Sequence, residues 1–72
     1  MAFFKLVDWQ QRVVDERNEL HERIVKLRVF FDNHLFTSVD DEEKRRLRRQ
    51  VVFMEEYRAV LDERISHFKD CT

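Results

Sequence analysis

Neither glycine nor proline occurs anywhere in the 72 residues. Without glycine no residue takes positive φ cheaply. Tight hairpin turns and the glycine-rich phosphate loops of dinucleotide- and NTP-binding proteins are therefore excluded. Without proline there is no collagen-like repeat and no proline-rich linker. The single cysteine, Cys71, cannot close an internal disulfide, so nothing points to secretion. Long hydrophobic runs are missing as well. The apolar opening Met1–Val7 is interrupted by Lys5 and ended by Asp8, too short for a signal-peptide core or a membrane span. Charge of one sign is not in excess: 14 Lys+Arg against 15 Asp+Glu leaves a net charge of −1. A DNA-binding domain ordinarily carries a basic surplus, so DNA is not the expected partner. The expectation is a soluble cytoplasmic chain with no membrane segment, folded as one domain over 1–72.

What is abundant is helical periodicity. Leu6, Trp9, Val13, Leu20, Ile24, Leu27, Phe31 and Leu35 recur at steps that fit one face of a helix. Phe36-Thr37-Ser38-Val39-Asp40-Asp41 breaks the pattern. Ser38 has the chemistry of an N-cap, with Asp41 three residues on to close a capping box. Acidic residues 40–43 suit the positive end of the following helix dipole. Leu47, Val51, Met54, Leu61, Ile65 and Phe68 form a second stripe. The spacing predicts helix 1 at about 4–35, a turn at about 36–38 and helix 2 at about 39–69. The fold class is therefore all-α: an antiparallel, coiled-coil-like two-helix hairpin.

Folding the chain at residue 37 sets Leu27 beside Leu47, Leu20 beside Met54, Val13 beside Leu61, Trp9 beside Ile65 and Leu6 beside Phe68. The middle of the seam is polar: either Glu16 and Arg58 pair and fix register, or both side chains snorkel to the edge. Trp9 reads as a core residue. Apolar residues remain off the seam: Val14, Val25, Val29 and Phe30 on helix 1, and Val52, Phe53 and Val60 on helix 2. So many stranded groups on so small a domain predict a surface for self-association into a helical-bundle oligomer.

No residue constellation predicts an enzyme. Adjacent carboxylates such as Glu55-Glu56 diverge by about 100° on a helix and cannot act as a facing acid–base pair. His21, His34 and His67 are scattered without metal-ligand spacing. No triad surrounds Ser38, Ser66 or Cys71, and no cofactor is expected. Most charge reads as solvated helix faces laced by i,i+4 pairs: Asp8–Arg12, Glu19–Arg23, Glu22–Lys26, Asp41–Arg45 and Glu42–Arg46. The one concentration of sign is Lys44-Arg45-Arg46-Leu47-Arg48-Arg49. The expected hairpin brings Arg23 and Lys26 alongside Arg45, Arg48 and Arg49. Guanidinium forks in that number make a candidate phosphate or nucleotide site, unless neighbouring acids already neutralise them.

Asp8-Trp9-Gln10-Gln11-Arg12-Val13-Val14-Asp15-Glu16, with Glu19-Leu20, Ile24, Lys26-Leu27 and Phe30-Phe31, resembles the first half of a family of small phage and prophage proteins related to one from crAss-like phages. Arg46-Leu47, Arg49-Gln50, Met54, Tyr57, Val60-Leu61, Glu63-Arg64-Ile65 and Phe68 are similar to its second half, so the likeness covers about residues 8–68. It implies a phage accessory protein acting in the bacterial cytoplasm and carries no activity with it. Two functions follow as expectations. One is an oligomeric, non-enzymatic counter-defence protein that sequesters a nucleotide immune signal or blocks a host defence protein. The other is a coiled-coil adaptor that binds a phage or host helix and takes no small ligand.

Overall fold

The computed structural model describes residues 5–68. Met1–Phe4, Cys71 and the outer limits expected for the two helices, 4 and 69, lie outside them. Helix α1 spans Asp8–Phe31 and helix α2 spans Asp41–Ser66. A three-ten turn, His34–Ser38, joins them. The helices pack side by side into an antiparallel hairpin shaped as a rod of 53 × 18 × 17 Å.

α1 starts without a polar N-cap. Gln10, in the first turn, reaches back to accept from the Val7 N–H at 3.0 Å and is itself buried. The helix ends at Phe31, four residues before the expected limit of 35. Asn33 causes the break: its side chain accepts from the Leu35 N–H at 2.8 Å, which competes with helical continuation. Lacking glycine, the chain turns with no positive φ among the described residues. It needs the whole of 32–40 to reverse instead of three residues. Ser38 is not the cap of α2. Its hydroxyl donates to the Leu35 carbonyl, while the Asp40 carboxylate accepts from the Glu43 N–H at 2.8 Å.

A fold at residue 37 would set Arg17 against residue 57 and His21 against residue 53. Their side chains instead meet Asp62 and Arg58 on one flank, while on the other Glu16 meets Tyr57, within one residue of the expected register. The Glu16–Arg58 pair does not form: Glu16 accepts from the Tyr57 hydroxyl, and Arg58 donates to His21 Nδ1 at 2.9 Å.

The core is a single file: Val13, Leu20, Ile24, Val51, Leu61 and Phe68, with Leu27 and Met54 half-buried against it. Trp9 is not core. It is 50% exposed and lies edge-on to Phe68, with ring centres 5.2 Å apart. The loop end is closed by Phe36, buried between Phe30 and Phe31 at 5.6 and 5.1 Å.

Candidate functional site

Contacts across the hairpin define its two flanks. On one, Arg17 pairs with Asp62 at 2.7 Å, Arg28 with Glu55 at 2.5 Å, and Arg58 with His21. The Arg28 hydrogen bond holds the Glu55 carboxyl below the usual glutamate range, against the opposing effect of desolvation. That flank is satisfied within one chain. The other flank has the Glu16–Tyr57 hydrogen bond as its only side-chain hydrogen bond between the helices among the described residues.

Beside Tyr57 on this second flank, α2 presents a shallow groove of about 420 Å³ lined by Arg46, Arg49, Gln50, Phe53, Met54 and Tyr57. The side chains meet because they follow one another at three- and four-residue steps on one side of the helix. Phe53 is 66% exposed and Tyr57 45%. Arg46 is engaged by Glu43 at 2.8 Å, and that bond raises its pKa further. Arg49 has no ion pair among the described residues, and neither do Arg23, Lys26, Arg45 and Arg48. The i,i+4 pairs expected to neutralise these cations do not form. Arg46 takes Glu43 in place of Glu42, and the seam draws Glu55 and Asp62 across to α1.

Of the five expected phosphate-binding cations, Arg49 lines the groove. Arg23 follows Glu16 by two turns and so lies on the groove's side of α1, with Lys26 one turn further on. Arg48 lies over the Phe36 ring at 5.5 Å, next to Lys44 at 5.4 Å, and Arg45 points away from the seam. The off-seam apolar residues also divide. Val14 packs half-buried against the core, and Phe30 packs against Phe36. Val25, Val29, Val52, Phe53 and Val60 are exposed, but only Phe53 and Val60 adjoin Tyr57.

Gln50 and Tyr57 carry no charge and were not legible as site residues, while Arg46 stood in the basic run but outside the expected cluster. Their signal is a second row on α2: Arg46, Gln50, Phe53, Tyr57, Val60 and Arg64 alternate four- and three-residue steps. The described residues hold no cluster of three or more potential metal ligands, and no helix among them is long and apolar enough to cross a membrane.

A two-helix hairpin that offers a shallow aromatic and arginine-lined groove falls in the class of small all-α proteins whose surface is suited to binding. The family model described as Sequestin matches residues 7–67, and the chain belongs to that family. No curated protein and no solved structure matches it.

Proposed function

We propose that this protein is a non-catalytic phage or prophage accessory protein that self-associates and sequesters a phosphate-bearing nucleotide signal of host defence. One observation carries the reading: Arg49, which has no carboxylate partner among the described residues, shares a groove with the exposed rings of Phe53 and Tyr57. A guanidinium fork suits a phosphate, and an aromatic face suits a base. The family's name fits a sequestering role, and the resemblance to phage proteins fits its setting. The groove is open and shallow and offers no water-excluded centre for turnover.

The test is calorimetry with cyclic dinucleotides, cyclic ADP-ribose-like signals and short DNA. The expected result is salt-sensitive binding of a nucleotide, weakened at least about tenfold in Arg49→Glu with the helical signal unchanged. If no nucleotide binds, or if Arg49→Glu counters host defence as well as the parent chain does, the reading fails. The exposed Phe53 and Val60 then favour the second reading, in which the same flank grips a helix of a phage protein or a host defence protein.

A further inference from the structure

We infer that Glu16 acts on the groove through Tyr57 and sets the direction and the base preference of a bound nucleotide. The phosphate lies at Arg49, and an amino group of the base lies at Tyr57. This rests on the nucleotide reading above and adds an orientation to it. Glu16 is a positioning residue here and does not touch the ligand. Tyr57 lines the groove from α2, and its hydroxyl donates to the Glu16 carboxylate on α1 in an exposed hydrogen bond. A carboxylate has no proton to give, and a phenol has one. The Tyr57 proton is therefore committed to Glu16, and the phenol oxygen offers a ligand lone pairs only. The same bond ties the end of the ring to the other helix. A side chain that is 45% exposed is thus held in one orientation before anything binds.

The rest of the groove completes the polarity. Arg46, Arg49 and Gln50 stand before Phe53, and beyond Phe53 the only polar side chain among the lining residues is Tyr57. Arg49 and Tyr57 are eight residues apart, roughly 12 Å along the helix at 1.5 Å per residue, with the exposed Phe53 ring midway. The guanidinium at one end only donates, and the tied phenol at the other only accepts. A phosphate is matched by Arg49, whereas at Tyr57 it would meet lone pairs backed by a carboxylate. An amino group meets an acceptor at Tyr57. A carbonyl in its place would set two acceptors against each other and leave both unpaired. The ligand class this selects is a nucleotide whose base carries an exocyclic amino group.

Two matched pairs of probes test this on the intact chain by calorimetry. Adenosine monophosphate is set against purine riboside monophosphate, and cytidine monophosphate against 2-pyrimidinone riboside monophosphate. Each second member lacks only the amino group. The amino member of each pair should bind about three- to tenfold tighter. Glu16→Ala frees the Tyr57 proton and should abolish the preference with the helical signal kept. Glu16→Gln supplies an amide carbonyl that accepts the same proton, and should keep the preference. A second readout needs no nucleotide. Tyr57 is the only tyrosine of the chain, and its absorption band should move to the blue in Glu16→Ala and stay nearer the parent in Glu16→Gln. Equal affinities within both pairs, a preference that survives Glu16→Ala, or a Tyr57 band unmoved by it would overturn the inference and leave the ligand reading standing. If none of the four probes binds while a member of the calorimetry panel above does, the inference alone fails. If nothing in either set binds, the ligand reading fails and the inference falls with it.

Discussion

Asp40 and Ser38 stand two residues apart with the same capping chemistry, yet only one caps α2. The Asp40 carboxylate accepts the Glu43 N–H, where its charge also meets the positive end of the helix dipole. Asp40→Ala should therefore lower stability by about 1 kcal/mol, and Ser38→Ala by a few tenths, read as the shift in thermal unfolding. The Arg28–Glu55 pair supplies a pH dependence. Glu55 titrates lower in the folded chain because Arg28 hydrogen-bonds to its charged form. The unfolded chain binds that proton more readily. The stability it lends is thus complete above the ordinary glutamate range, near 4.3, and is lost as pH falls through the lowered folded value. Arg28→Gln should flatten this acid limb of the stability–pH curve and leave stability near neutrality little changed, since the pair is on the surface.

At the scale of elements, both stripes were legible because the 3.6-residue period leaves them as unbroken rows in the sequence. The loop was not. Phe31 and Leu35 continue the helical spacing, so periodicity carries helix 1 through to 35. The break is set by the Asn33 side chain, which adds nothing to the apolar pattern. Phe36 was the largest loss. It falls where the pattern fails, yet it is buried against Phe30 and Phe31, with Lys44 and Arg48 over its ring. Phe36→Ala should cost about 3–5 kcal/mol, and Leu35→Ala, its exposed neighbour, much less. Chemical denaturation of the two variants at one protein concentration checks the contrast.

At the scale of the whole molecule, a single file of buried residues between two helices is a thin core, and chains of this size are marginal alone. Two acids, Glu55 and Asp62, bridge the helices along one flank, and the other flank presents Arg49, Phe53 and Tyr57 uncovered. The proposed binding and self-association both draw on that second flank. Counting charge along the sequence finds the arginines but cannot show which of them the fold leaves without a pair among the described residues. Native mass measurement of the intact chain with the panel of nucleotides reads both events together. The account predicts an oligomer of the 9.0 kDa chain carrying added nucleotide mass, with that added mass lost in Arg49→Glu. A bare chain of 9.0 kDa, unchanged by every nucleotide, would contradict it.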